Sequence, residues 1–379
     1  MFSRERIKSL CESEGAAVVS QKFCEAVAAK TIPVGQVSIR TLAEGFLGED
    51  VVRSWGQTRG GLVQLVEAGD PVNMRAFANS IGGIIVASME SGYRRPGFIG
   101  DQLVSVVQTP NRFDRISFPG DFNATDADVG EAEEIPTVGF GEQYVDTPDT
   151  TKKGAIVGVS REMILADQGG KVVEQASMVG ELIGEQKEVK ILKMVLGITN
   201  TYKFNGTSYN TYQTTQWTNT GTNELVDHSN LEAAEIVLSN MRNPVSSKPI
   251  MVMPDTIIVP TAKALTASRV ASSPTIEVRS SSGANILTQA NPYAARYSGR
   301  VFTSPWILKL LTDASVSASD AAKYWYCGES RRAFQYRENW ALQVRPIGPD
   351  AKREVDLQYA ATERGSATVR EPRYMYKGT

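Results

Sequence analysis

Histidine is all but missing from this chain: His228 is the only one among 379 residues. A Ser-His-Asp hydrolase, or a cysteine nucleophile with an imidazole base, would have to use that single ring. Asp227 precedes it, but no Gly-x-Ser-x-Gly elbow accompanies the pair. His228 therefore reads as a loop residue just ahead of a helix start. Cysteine is scarce too. Cys11, Cys24 and Cys327 are odd in number and fit no zinc spacing, which excludes a disulfide framework or a His/Cys metal cage. They read as small core residues. Long apolar runs are absent: the longest, Ile81-Gly82-Gly83-Ile84-Ile85-Val86-Ala87, is far too short to cross a bilayer. Charges at Arg4, Glu5, Arg6 and Lys8 sit where a signal peptide needs its apolar stretch. The Asn123 and Asn205 sequons then carry no glycosylation meaning. An excess of either charge sign is also lacking. Lys and Arg total 40 against 42 Asp and Glu, so no large basic face for gripping nucleic acid is expected.

Phosphate and cation motifs fail on inspection. Gly139-Phe140-Gly141 lacks the third glycine of a dinucleotide loop and opens no helix. Asp121, Asn123 and Thr125 begin like a calcium loop, but Asp126 stands where its glycine belongs. No cofactor and no metal are implied. A carboxylate pair stays open, since 42 acids offer many combinations.

What is present is the composition of a globular protein, 41% hydrophobic and 22% charged, long enough for two or three core-forming units. Residues 1–30 carry apolar positions at helical spacing: Ile7, Leu10 and Cys11 on one face, then Phe23, Cys24 and Val27 on another. Pro33 and Gly35 interrupt them. A second helix is expected from Asn73 to Glu90. Between Arg94 and Gly130, recurrent Pro and Gly predict an extended arm that packs on something other than itself, with an acidic end at Asp121, Asp126, Asp128, Glu131, Glu133 and Glu134. Strands at 137–145 and 154–160 flank the turn-rich stretch 146–153, which predicts a β-hairpin with a solvated, projecting tip. The longest helix is expected over Lys171–Leu196. Its stripe is Val172, Ala176, Val179, Leu182, Ile183, Val189, Leu192, Val195 and Leu196, and Gly197 is its C-terminal cap. Ser229 and Glu232 predict a capping box for a helix through Met241. Ile257-Ile258-Val259 reads as a buried strand, with a helix possible from Pro260, and residues 271–298 as a Ser-rich surface loop. Further strands are expected at 301–302, 323–326 and 333–336, and a final pair at 355–359 and 367–369. The fold class is α+β.

This order of elements resembles the Hong Kong 97-type fold of tailed-phage major capsid proteins. Gly130-Glu-Ala-Glu-Glu-Ile-Pro136, leading to Gly139-Phe-Gly-Glu142, resembles the start of that family's extended loop. Thr151-Lys-Lys-Gly154 and Val159-Ser-Arg-Glu162 resemble its return strand. Val179–Glu188 lies on the would-be spine helix, and Pro254-Asp-Thr-Ile-Ile-Val-Pro260 is similar to the strand-helix unit of the axial domain. Glu363-Arg-Gly365 to Arg370-Glu-Pro372 is similar to the final strands of Mu-like head proteins. The resemblance covers residues 75–379. It implies a helical N-terminal segment (1–74, scaffold-like or a maturation remnant retained by this chain), an arm (75–128), an extended loop (129–162), a peripheral domain (163–225 and 335–379) with spine helix 171–196, and an axial domain (226–334).

The resemblance further implies a structural, non-enzymatic subunit that assembles with itself into hexamers and pentamers. These would close an icosahedral shell around double-stranded DNA contacted without sequence specificity. Scaffold, portal and decoration proteins would be partners, and no membrane is involved. Assembly would take place in the host cytoplasm, and the chain would end up in the virion. Intersubunit contacts are expected at Glu142, Tyr144, Pro148, Lys152, Lys153 and Arg161, with the loop lying over a neighbour. Lys152 or Lys153 could supply a cross-linking lysine, although no matching asparagine and acid can be assigned. Three other readings compete: an encapsulin-like compartment shell, another virion component such as a portal or tail protein, and a soluble enzyme using an unrecognised carboxylate pair.

Overall fold

The computed structural model describes residues 4–32, 38–55, 71–117, 143–160, 162–163, 166, 169–244, 247–279, 286–348 and 355–379. The chain forms two compact units. The first comprises residues 1–96, 152–186 and 340–364, and the second residues 97–151, 187–339 and 365–379.

The first unit is mainly helical: α1 (Arg4–Glu14), α2 (Ala16–Ala28), α3 (Ile39–Leu47), α4 (Glu49–Trp55), α5 (Pro71–Tyr93) and the earlier part of α6 (Gly169–Val195). Four-residue spacing puts Val19, Phe23 and Val27 on one side of α2, and Phe77, Ile81, Ile84 and Ile85 along α5. Both rows enter one core with Ile7, Ile39, Leu42 and Phe46. Ser38 caps α3, its hydroxyl accepting from the Thr41 amide at 3.1 Å, and Gly48 ends that helix at φ +91°. Against these helices lies sheet, with β4 (Thr151–Ser160) next to β14 (Val355–Val369) and β14 next to β13 (Phe334–Ile347). Val157, Val159, Tyr359 and Ala361 bring it into the same core. α5 and α6 meet backbone to backbone. A Cβ on Gly180 would sit 2.0 Å from the Met89 carbonyl oxygen, and one on Gly92 would sit 2.1 Å from that of Ser177. Neither position has room for a side chain.

The second unit is α/β. Its five-stranded sheet runs β11 (Val301–Thr303), β8 (Thr256–Val259), β12 (Trp325–Gly328), β15 (Met375–Gly378), β7 (Thr220–Gly221). β8 pairs in parallel with β11 and antiparallel with β12. The two-residue strand period sorts the side chains. Ile257, Val259, Trp325, Cys327 and Tyr376 face one core with Leu231, Ala234 and Leu238 of α7 (His228–Ser239) and Ala267 of α8 (Ala264–Ser272). Ile258, Tyr326 and Met375 face another with Leu192 and Val195 of α6 and Leu310 and Leu311 of α9 (Pro305–Asp313). Burial on both faces explains the unbroken apolar run of β8. A smaller sheet runs β2 (Arg115–Ser117), β3 (Tyr144–Asp146), β5 (Tyr202–Phe204), β6 (Thr207–Tyr209), and β1 (Ser105–Gln108) pairs in parallel with residues 335–338 of β13.

Several expectations hold in outline. The long helices lie within two or three residues of their expected ends, and Gly197 closes α6 at φ +71°, with the Ile198 amide donating to the Lys193 carbonyl at 2.9 Å. Others need correction. The expected hairpin of 137–145 with 154–160 does not form among the described residues: Tyr144–Asp146 pairs with Arg115–Ser117, whereas β4 lies beside β14. The hairpin is therefore set one strand earlier, and the chain leaves at Ser117 and returns by Tyr144. The part of the first expected strand at 137–142 lies outside the described residues. The arm pairs with other strands through β1 and β2. Residues 271–298 contain an antiparallel pair, β9 (Thr275–Arg279) and β10 (Ile286–Ala290), so serine content misled there. Asp227, not Ser229, caps α7: its carboxylate accepts from the Ser229 amide at 2.8 Å, and Asn230 replies to the Asp227 amide at 3.0 Å. His228 is thus the first helical residue. The final two short strands are one continuous strand, β14. Leu182, assigned to the buried stripe of α6, is exposed.

Candidate intersubunit surface

Glu142 and Arg161 lie outside the described residues. Tyr144 opens β3, half-buried, with the Arg115 guanidinium 4.5 Å from its ring centroid. Pro148 is half-buried between Thr147 and Thr150, which are both buried. The stretch 146–150 is therefore not the solvated tip expected from its turn-forming residues. Lys152 is exposed, while Lys153 is half-buried and donates to the Gln186 carbonyl at 3.0 Å. Tyr144 and Pro148 belong to the second unit, and Lys152 and Lys153 to the first.

A polar staple missed by sequence reading holds 146–150. The Thr147 amide and hydroxyl donate to the Asp114 carbonyl at 3.1 and 2.8 Å, and the Asp114 amide returns a bond to Thr147 Oγ1 at 3.1 Å. The Thr150 amide donates to the Arg112 carbonyl at 3.0 Å, and the Arg112 guanidinium reaches Asp149 Oδ2 through Nε and Nη2 at 3.0 and 2.7 Å. Beneath them lies Arg337, its side chain 2% exposed. It donates to the Thr147 and Thr109 hydroxyls and, at 3.1 Å, to Asp114 Oδ2. Burial lowers the Arg337 pKa, and Asp114 opposes that shift. The staple fixes both strands at the base of the β2–β3 hairpin, so whatever the loop contacts is presented from a rigid root.

A second cluster occupies one turn of α6. Both Glu188 oxygens accept backbone amides, Ile99 at 3.0 Å and Gly100 at 2.6 Å. Lys187 pairs with Asp101 at 2.9 Å and lies 4.8 Å from the Tyr336 ring centroid. Lys190 donates to the Thr151 hydroxyl at 2.9 Å and the Gly365 carbonyl at 2.6 Å. Burial raises the Glu188 pKa, more than the two amides and Lys187 lower it. The only sequence signal for this turn was a set of charges at positions continuous with an apolar stripe.

The residues that could have suggested a nucleophile or its partner have structural roles. Asp227, the partner imagined for His228, is occupied with capping, and the Ser229 hydrogen bonds hold its carboxyl below the usual range. Cys327 is fully buried, and burial pushes its thiol up to about 12, the behaviour of a core residue. Among the described residues no helix is long and apolar enough to cross a membrane. The surface does carry large apolar side chains: Met251 (82% exposed), Met253 and Leu265 (81%) in the second unit, and Ile156, Met178 and Leu182 in the first. Met178 and Leu182 are four apart on α6 and share a face.

The family model described as "Phage capsid protein" matches residues 144–378. The chain belongs to the phage capsid protein family. The capsid subunit is also similar to solved shell structures. The capsid of a native GTA particle aligns at 12% identity and a TM-score of 0.45, over 75% of this chain and 90% of that one. The SrpI encapsulin of Synechococcus elongatus aligns at 12% and 0.43, over 75% and 86%. Gordonia phage Cozz aligns at 12% and 0.41, over 74% and 86%. A search of curated proteins returned no match. The assignment rests on the family match, which takes in the five-stranded sheet of the second unit, both long strands β13 and β14, and the whole of α6.

Proposed function

We propose that this capsid subunit is the major head protein of a tailed double-stranded-DNA phage, in a Hong Kong 97-type arrangement. Copies associate into hexamers and pentamers and close an icosahedral shell around packaged DNA. The role is structural and non-catalytic. The observation that carries the reading, beyond the family itself, is the set of exposed apolar side chains headed by Met251 and Leu265. A lone soluble chain gains nothing from presenting them, whereas burial between copies stabilises an assembly at about 25 cal/mol per Å2. The stapled root of the β2–β3 hairpin supports a loop that reaches a neighbour. Lys152 remains a contact candidate on the exposed start of β4. A scaffold, a portal and decoration proteins are its expected partners.

The test is size-exclusion chromatography with negative-stain electron microscopy, on the chain produced alone and with the assembly proteins encoded beside it. Closed shells, or hexamers and pentamers, support the reading. Nucleic acid inside the particles assigns them to a virus, and protein cargo assigns them to a compartment. A persistent monomer or dimer under both conditions refutes it.

A further inference from the structure

One end of the five-stranded sheet carries a cleft of about 340 Å3. Strand pairing puts it there. β8 lies between parallel β11 and antiparallel β12, so Arg300 just before β11, Thr256 at the start of β8 and Arg331 just past β12 share one end of the sheet. The two flanking strands stand two strand spacings apart, about 10 Å, which leaves a gap between the arginines. Gln102, Asp255 and Phe302 complete the lining. All six residues belong to the second unit.

The acid in this lining is already answered: Asp255 Oδ2 accepts from Arg300 Nη1, and its Oδ1 from the Thr256 hydroxyl at 2.9 Å. Arg331 Nε donates to the Gln102 carbonyl at 3.1 Å, which orients the guanidinium. Neither Nη of Arg331, nor Nε or Nη2 of Arg300, has a hydrogen-bond partner among the described residues. Two guanidinium groups against one carboxylate leave a surplus of one positive charge. The cleft therefore suits a monoanion that accepts from two sides. A carboxylate holds its two oxygens in one plane, whereas a phosphate directs oxygens at both arginines. We propose that this cleft binds a phosphate group, with Arg331 and Arg300 as its ligands. Free phosphate and the phosphodiester backbone of DNA both carry that chemistry. With 40 basic against 42 acidic residues no large basic face is expected, and one phosphate contact repeated on every copy of a shell gives such a chain a sequence-independent hold on packaged DNA. The DNA source rests on the shell reading above; the phosphate site does not.

The test uses the full chain with Arg331→Gln as the site variant and Arg331→Lys, which keeps the charge and loses the fork, as a second. Arg269→Gln is the control, because Arg269 is exposed on α8 and does not line the cleft. Circular dichroism establishes that each variant folds. Inorganic phosphate, titrated calorimetrically at fixed ionic strength, is expected to bind the wild type and Arg269→Gln alike and Arg331→Gln about tenfold or more weakly, with Arg331→Lys between them. Duplex DNA is then titrated across salt concentrations. If DNA is the source, Arg331→Gln binds every duplex sequence more weakly, and its plot of log K against log salt is shallower by about 0.9. Duplex binding unchanged by Arg331→Gln assigns the site to free phosphate. Acetate binding as tightly as phosphate, an equal loss in Arg269→Gln, or indifference of both phosphate and duplex to Arg331→Gln overturns the site. Microscopy of the same samples separates the two claims. Arg331-dependent phosphate binding by a chain that forms no shells sinks the shell reading alone, and shells from a chain indifferent to Arg331→Gln sink the site alone.

Discussion

The two compact units are held together by different chemistry. The first is built from apolar rows on α1, α2, α3 and α5, and its buried polar groups are mostly serines such as Ser20, Ser80 and Ser88. The second buries Lys187, Glu188, Arg337, Glu338, Glu371 and Arg373, whereas Glu363 is the one such residue described in the first. The difference has a geometric cause. Helices satisfy their own backbone, so the first unit needs only shape and spacing. The second must also anchor irregular segments such as 97–99, 109–114 and 147–150. Glu188 answers the Ile99 and Gly100 amides, and Arg337 ties the Thr109 and Thr147 hydroxyls to the Asp114 carboxylate, where no regular ladder runs.

That contrast predicts how each unit breaks. The largest effect is expected from Gly180→Val, which drives α5 and α6 apart at their closest approach. The first unit should lose its cooperative thermal transition, a cost above about 3 kcal/mol. Circular dichroism during heating checks it, and a native-like melt would show that the helices separate more easily than the geometry allows. Arg337→Ala comes next, at about 3 kcal/mol, because it strips the staple of its buried cation and removes one donor each from the Thr109 and Thr147 hydroxyls and the Asp114 carboxylate. Hydrogen exchange should show faster exchange of the Thr147 and Thr150 amides, with α2 and α5 unchanged.

Glu188→Gln is smaller and depends on pH. The folded-state pKa of Glu188 lies above its ordinary 4.5, so the folded chain binds the proton more tightly than the unfolded chain. The carboxyl's contribution is then fullest below the unfolded value and is lost as pH rises through the folded one. The urea midpoint of the wild type relative to Glu188→Gln should fall from about pH 4 to 7. A wild-type advantage that grows with pH would reverse the sign. Asp227→Ala should cost about 1 kcal/mol by uncapping α7. Lys152→Ala should change the stability of the subunit by less than about 0.5 kcal/mol, so any loss of particles in that variant reports a contact between copies.

The same contrast decides what was legible in sequence. Apolar spacing located α2, α5 and α6 because their cores are made of the residues that define the pattern. β8 and β12 were legible as short apolar runs. β15 was not, because four residues that include Lys377 look like a tail, although Lys377 lies 4.2 Å from the Tyr324 ring centroid. The staple was invisible. Arg337, Thr147 and Asp114 are far apart in sequence, and turn-forming, charged residues at 146–153 read as solvated tip rather than as buried root. Pairing of β3 with β2 was missed because the hairpin closes over a long excursion, which short-range turn signals do not reveal. The acidic stretch from Asp121 to Glu134 was taken as the end of an arm, while its place between the two paired strands could be seen only once their register was known.

Sedimentation velocity of the purified chain beside Arg337→Ala tests the central claim most directly, namely that this is a shell subunit whose hairpin root must be rigid. The account predicts one fast, homogeneous boundary of closed particles for the wild type and slow unassembled subunits for a variant that still folds. A wild type that sediments as a monomer or dimer even with its assembly proteins present, or a variant that closes shells as well as the wild type, would contradict it.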